Sequence, residues 1–390
     1  MRVLHVTSEY PPVVHGGLGR HVDGVTRAQV DCGAQVWVLA PADDVVHPSR
    51  PPAAEHERRH GVDVRRVATG WRPTRADDLV EAMGRWQQRI VEAAAAVPAV
   101  DVVHGHDWLT AEAGRAIATA RDVPFTLTLH ATEHGRRFGR LDEPLHHAVH
   151  AAERAAVACA DRVVVCSTAM YGEAVAHGAR PDAVHVVPGG VDVGRWQVDP
   201  VSAEAARRRW TAEATHLVVA AGRLEWEKGF STLLRALPAV VARRPGARVV
   251  LAGRGSYRPA LEELARDVGV DGSLLWAGKL SDHDLAALLA AADVVVVPSR
   301  YEPFGLVALE AQAAGAPVVV TRTGGLAELV DDGFTGRVIE PGDVDGLAEV
   351  LDELLGDPQL RRRLAEAGRA SATSLGWASV AARLLDVYRA

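Results

Sequence analysis

The chain is poor in lysine, in cysteine and in long apolar runs, and each scarcity excludes something. Among 43 basic residues only Lys228 and Lys279 are lysines. A general preference for arginine accounts for the rest and singles out the two lysines that are kept. The three cysteines, Cys32, Cys159 and Cys166, show neither CxxC nor Cys/His ligand spacing. Buried reduced thiols are therefore expected rather than a disulfide framework or a zinc site. No stretch approaches the roughly 18 uninterrupted apolar residues of a membrane span. The opening Met1-Arg2-Val3-Leu4-His5-Val6 reads as a β-strand rather than a signal peptide, so a cytoplasmic protein is expected. The formal charge of −7 lacks the basic field that general nucleic-acid binding needs.

What is present is a long α/β pattern. At 390 residues the chain exceeds what one core usually supports, which suggests two domains of roughly 200 residues each. Short β-branched runs alternate with amphipathic helices throughout, the pattern of parallel sheets covered on both faces. The first set comprises Val3–Thr7, Val36–Ala40, Val62–Val67, Val100–His104, Phe125–Leu129, Val163–Val165 and Val184–Val187. The second comprises Leu217–Ala221, Val249–Ala252, Leu274–Ala277, Val294–Val297, Val318–Thr321 and Val338–Ile339. Two doubly wound domains follow, 1–195 and 196–375, joined through the turn-rich Pro188–Gly194. The closing helix, 376–390, is left free to pack back on the first domain. Residues 41–60 lack periodicity and read as a long surface loop.

In open α/β sheets ligands sit beyond the strand C-termini, where helix N-termini offer N–H groups to anions. Four segments meet that test. Ser8–Gly19 follows the first strand and leads to a helix at His21–Val25; its Gly16 and Gly17 let backbone approach a ligand. Gly222–Gly229 follows the first strand of the second domain and supplies two cations, Arg223 and Lys228, enough to offset a leaving diphosphate. Pro298–Ala311 places Glu302 at the mouth of a helix beginning at Gly305 or Leu306 and Glu310 inside it. Were this segment wholly helical the two carboxylates would stand about 12 Å apart, matching a nucleotide sugar from glycosyl ring to ribose. Both can accept hydrogen bonds from sugar hydroxyls. The fourth group is His104, His106 and His130 at strand ends, where hydrogen bonding is preferred over a metal because no third ligand has helical spacing. Each segment also has a local reading, as a structural turn, a surface charge cluster or a capping residue. Gly253-Arg254-Gly255 begins a GxGxxG pattern that Arg258 fails to complete.

Taken together the segments resemble the retaining GT-B glycosyltransferases of family 4. The resemblance rests on SEYPP-x3-GGLGRHV at 8–22, VVHGHDW at 102–108, TLH at 128–130, VPGGVD at 187–192, GRLEWEKG at 222–229 and PSRYEPFGLVALEAQAAGAPVV at 298–319. It implies two Rossmann-like domains facing a central cleft, and it implies roles residue by residue. Gly16 and Gly17 would approach the donor phosphates, and Arg223 and Lys228 would neutralise the diphosphate. Glu302 and the backbone of Phe304, Gly305 and Leu306 would hold sugar and phosphate, and Glu310 the ribose. His130 would contact the sugar, Lys279 would lie against the base, and Thr323, Gly324 and Gly325 would close the sugar pocket. Two positions depart: Gly190 stands where the family often has Asn, and His15 where bacterial glycogen synthases place Lys.

The resemblance implies front-face transfer from a nucleotide-diphosphate sugar, with a lean to UDP- or ADP-linked glucose, to a hydroxyl of a small molecule or glycan. No cofactor and no metal are expected. The acceptor is expected near residues 131–142 and the loop 47–60, where Arg50, Arg58, Arg59, His134, Arg136, Arg137 and Arg140 favour an anionic acceptor; Glu55, Glu57, Glu133 and Asp142 dilute that charge, and solvated surface arginines are the local reading. A sugar-nucleotide epimerase, an α-glucan or maltose-1-phosphate-type synthase and a noncatalytic two-lobed sugar-binding protein are the alternatives. Oligomeric state is not legible.

Overall fold

The computed structural model describes residues 1–42, 55–69, 79–211 and 215–390. It divides into two compact units, Met1–Gly190 with Trp377–Ala390, and Val191–Gly376. The division falls shortly before the expected boundary near residue 195.

The first unit is built on an eight-stranded sheet. Its strands are β1 (Arg2–Val6), β2 (Gln35–Pro41), β3 (His56–Arg59), β4 (Val62–Val67), β5 (Val102–His106), β6 (Phe125–Leu129), β7 (Arg162–Val165) and β8 (Val184–Val186). They lie in the order β3-β4-β2-β1-β5-β6-β7-β8, and all pairings are parallel except β3 with β4. Strand order reverses between β1 and β5. The helix Trp377–Arg389 belongs to this unit and adds Val380, Ala381, Leu384, Leu385, Val387 and Tyr388 to its core.

Three expectations are corrected here. Residues 56–59 are not loop but an antiparallel edge strand, His56-Glu57-Arg58-Arg59, whose polar side chains give no hydrophobic signal; residues 43–54, including Arg50, lie outside the described residues. The fifth strand begins at Val102 rather than Val100, because Asp101 is spent on Arg2, accepting from its backbone N at 2.7 Å and its guanidinium at 2.6 Å. The strand also runs on to His106 rather than ending at His104, so that both histidines are fully buried in it. The first helix runs over Gly17–Asp31 and so starts at the glycine pair itself.

The second unit carries a six-stranded, wholly parallel sheet of β9 (His216–Ala221), β10 (Ala247–Ala252), β11 (Leu274–Gly278), β12 (Val294–Val297), β13 (Val318–Thr321) and β14 (Arg337–Ile339). The order β11-β10-β9-β12-β13-β14 is the doubly wound 3-2-1-4-5-6 arrangement, with its switch point between β9 and β12. Valine runs such as Val294–Val297 are buried on both faces, as strands covered by helices on each side require. The unit's first and last residues, Val191 and Gly376, form a parallel β-bridge in which Val191 N donates to Leu375 O at 2.9 Å.

Candidate active site

The two segments that follow β9 and β12 flank the switch point of the second unit, the position where a doubly wound sheet binds ligands. They are stitched together by backbone, Arg300 N and Tyr301 N both donating to Glu227 O at 2.8 and 3.2 Å. The Arg300 guanidinium lies 5.0 Å from the ring centre of Trp226. The side chains meet as well. Lys228 Nζ donates to Glu302 Oε2 at 2.9 Å, and Ser299 Oγ donates to the same oxygen at 3.2 Å. Arg223, exposed, is held by Glu227 at 3.2 Å. Each cation of the R-x4-K motif thus rests on a carboxylate.

Glycines let these segments approach. A Cβ on Gly229 would stand 1.9 Å from Pro298 O, and one on Gly324 would stand 2.0 Å from Glu302 O. Gly325 N donates to Glu302 O at 3.0 Å, while Thr323 Oγ1 donates to Arg300 O at 3.0 Å. Thr323, Gly324 and Gly325 therefore seat the backbone that carries Glu302. The incomplete GxGxxG has the same kind of cause: a Cβ on Gly253 would lie 1.8 Å from Gly222 O, and one on Gly255 2.2 Å from Leu224 O. Those glycines pack two loops together.

The segment from Glu302 to Glu310 is not wholly helical, so the spacing expected of a continuous helix does not apply. Gly305 takes φ 108°, a left-handed conformation, and the helix Leu306–Ala314 begins after it with no side-chain cap. The N–H groups of its first turn have no partner within the helix by geometry, which suits them to an anion. Phe304 is buried beside this terminus, and Glu310 is buried on the helix's second turn. Lys279 is exposed immediately after β11.

In the first unit the glycine segment holds its own anion. Glu9 Oε2 accepts from His15 N at 2.8 Å and Gly16 N at 3.1 Å, so a carboxylate that sequence reasoning left without a role occupies the Gly16 N–H. Gly17 is exposed at the helix start.

The histidines form one chain. His130 Nε2 and His106 Nδ1 are 3.1 Å apart, His106 Nε2 and His5 Nδ1 3.0 Å, and His5 Nε2 and Gln29 Oε1 2.8 Å. Gln29 Nε2 donates to Tyr388 OH at 3.1 Å; that hydroxyl meets His104 Nδ1 at 2.5 Å, and His104 Nε2 meets Thr128 Oγ1 at 2.6 Å. Burial keeps these imidazoles neutral, lowering His5 to about 4 and His130 to about 3. Direction then follows from Gln29. Its Oε1 must accept from His5 Nε2–H, so His106 Nε2–H donates to His5 and His130 Nε2–H donates to His106. His130 Nδ1 is left as an acceptor, able to take a hydroxyl proton's hydrogen bond. His130 N donates to Asp107 Oδ1 at 2.7 Å, and burial nonetheless raises the Asp107 carboxyl to about 6. His5, Gln29 and Tyr388 were not legible as site-linked residues, since their partners lie on separate strands and on the last helix.

Gly190 belongs to this unit's packing. A Cβ there would stand 2.7 Å from Trp377 Cε3, and one on Gly24 2.2 Å from Trp377 Cε2, so the indole fills the space where the family often carries Asn.

Two doubly wound sheets, with paired cations and carboxylates at the switch point of the second, define a nucleotide-sugar transferase of the two-domain type. The family description "Glycosyltransferase Family 4" matches residues 15–195, and "Glycosyl transferases group 1" matches residues 202–371. A glycogen synthase of Mycobacterium tuberculosis is 39% identical over 100% of this chain and 95% of its own length. A D-inositol 3-phosphate glycosyltransferase of Xylanimonas cellulosilytica is 34% identical over 96% of this chain and 91% of its own. Among solved structures, sucrose-phosphate synthase from Thermosynechococcus elongatus shares the fold with TM-score 0.85 at 24% identity, covering 100% of this chain and 98% of that one. The chain belongs to the GT-B glycosyltransferases of the family 4 type. Among the described residues no helix is long and apolar enough to cross a membrane.

Proposed function

We propose that the chain is a retaining, metal-independent glycosyltransferase that moves a glucosyl unit from a UDP- or ADP-linked donor to a hydroxyl acceptor. The observation that carries the reading is the 2.9 Å contact of Lys228 with Glu302, which joins the diphosphate motif to the sugar motif at one switch point. Arg223, Lys228 and the helix terminus at Gly305 would hold the diphosphate, with Glu302 turning to the sugar hydroxyls and Glu310 holding ribose. As the anomeric C–O bond breaks, the diphosphate oxygen left behind takes the acceptor proton, and the acceptor oxygen bonds to the same face of the sugar. Positioning and charge stabilisation supply the rate. The glycogen synthase relative supports a glucosyl donor. None of the three cysteines is in a disulfide, which suits a reducing cytoplasm, although only Cys166 is buried as expected and Cys32 is exposed.

On the acceptor side the basic stretch is partly compensated, since Glu133 holds Arg137 at 3.0 Å and Arg136 at 3.3 Å. Arg140 is exposed. An anionic acceptor is favoured, in line with a relative whose name carries a phosphorylated inositol.

The test is incubation of pure protein with a panel of nucleotide sugars, with and without acceptors, assaying released nucleotide diphosphate and the anomeric configuration of the product. Transfer with retention after dialysis against EDTA is expected. An epimerised sugar without transfer would favour the epimerase, and activity restored only by manganese or magnesium would contradict the charge scheme.

A further inference from the structure

Two clusters of histidines lie in the first unit, and they differ in what their nitrogens do. His5, His104 and His106 stand close together, yet every ring nitrogen among them is matched to a hydrogen-bonding group. The second cluster is His150, Glu153 and His177, whose ligand atoms lie within 4.8 Å of one another. His150 and Glu153 are three apart on the helix Pro144–Cys159 and so share a face, and His177 follows the helix Thr168–Ala176. Glu153 and His177 are almost wholly buried, at 1% and 3% exposure.

Here nitrogens lack hydrogen-bond partners among the described residues: His177 Nε2 and His150 Nδ1 are both buried and make none. His177 Nδ1 donates to the Glu173 carbonyl at 2.8 Å, which fixes the ring and sets Nε2 3.6 Å from Glu153 Oε2, where a metal ion would take the place of a proton. A ligating imidazole commonly has its other nitrogen anchored in this way. The carboxylate is fixed too, both its oxygens accepting from Glu133 N at 2.9 and 3.0 Å. An ion pair between His177 and Glu153 would leave His150 Nδ1 buried with no hydrogen bond. A cation between the three satisfies all of them.

We infer that His150, Glu153 and His177 form a binding site for one divalent transition-metal ion of the zinc class. Two imidazoles and a carboxylate are the donor set such an ion takes, and ligand separations of about 3.4 Å follow from bonds of about 2.1 Å in tetrahedral geometry. The existing 3.6 Å separation is close to that. The exposed His134 packs its ring 5.7 Å from that of His150 and 6.2 Å from that of His177, and water would complete the coordination. The ion clips the Pro144–Cys159 helix to the end of the Thr168–Ala176 helix, and through Glu153 to the turn at Glu133. The cluster shares no residue with the Lys228–Glu302 pair, which belongs to the other unit.

The experiment is calorimetric titration of chelator-treated full-length protein with zinc and, separately, cobalt, whose ligand-field spectrum reports tetrahedral nitrogen and oxygen donors. One ion per chain is expected, with Tm raised by roughly 5–10 °C at hundredfold excess over Kd. His150→Ala and His177→Ala should each weaken binding at least roughly tenfold. His147→Ala, an exposed histidine of the same helix, should leave binding unchanged. If His177→Ala does not fold, His150→Ala, whose side chain is only half buried, carries the comparison. Absence of saturable binding, or binding equally tight in His150→Ala, overturns the assignment.

Discussion

The two units present opposite electrostatics at their strand C-termini. In the first, His5, His104, His106 and His130 are held neutral by burial and linked by hydrogen bonds, with His21 edge-on to His130 at 4.9 Å. In the second, Lys228 and Glu302 form a pair and Arg223 and Glu227 another. A neutral relay can offer directional hydrogen bonds to hydroxyls without attracting anions. Paired charges can re-partner when a diphosphate arrives. On the function proposed above, the neutral side would meet hydroxyls through His130, while the charged side would meet the leaving diphosphate through Lys228 and the sugar through Glu302.

The largest effect should come from the charged side. Lys228→Ala is expected to lower kcat at least about a hundredfold, the scale of one lost transition-state charge partner, and steady-state assay of nucleotide release measures it. Lys228→Arg should recover only part, since a planar fork does not fill the place of an ammonium. Full activity in Lys228→Ala would remove the second motif from the site.

Within the same unit the two carboxylates should separate. Glu302→Ala should chiefly lower kcat, because the sugar gains positive charge in the transition state, whereas Glu310→Ala should chiefly raise KM for the donor, because ribose is unchanged during reaction. The reverse pattern would mean that the donor lies in the opposite sense.

A smaller but distinctive difference concerns acid. A histidine whose pKa is lowered on folding binds more protons when unfolded, so its stabilising contribution is complete above about 6.5 and is lost as pH falls towards the folded value, about 4 for His5. Asp107, raised to about 6, works the other way, contributing below its unfolded pKa and losing that contribution as pH rises through 6. One carboxyl does not offset the histidine chain. Hydrogen exchange at pH 5 against pH 7 should therefore show protection lost in peptides from β1, β5 and β6 before those from β9 and β12. Equal loss in both units would contradict the neutral relay.

Much of this fold could be read from sequence because buried parallel strands are continuous β-branched runs; β6, β12 and β13 fall at the expected residues. The polar edge strand β3 carries no such signal, and β5 was displaced because Asp101, paired with Arg2, reads as neither strand nor turn. At the site, Lys228 and Glu302 were each visible from spacing, but their mutual contact was not, since it depends on Gly229 and Gly324 allowing two loops to touch. Glu9 and Gln29 gave no signal because each acts through a geometry that only the folded loop or sheet creates. Gly190, legible only as part of a turn, is explained by an indole from the far end of the chain.

The central claim is that Lys228 and Glu302 act as one unit on the donor, and a double-mutant cycle tests it directly. Turnover is measured for Lys228→Ala, Glu302→Ala and the double variant with the same nucleotide sugar. Removing Lys228 alone leaves the Glu302 carboxylate unpaired beside the diphosphate, so removing Glu302 as well should cost little more than the worse single change. Losses that multiply, each residue contributing as though the other were absent, would show that the two motifs do not share one transition state.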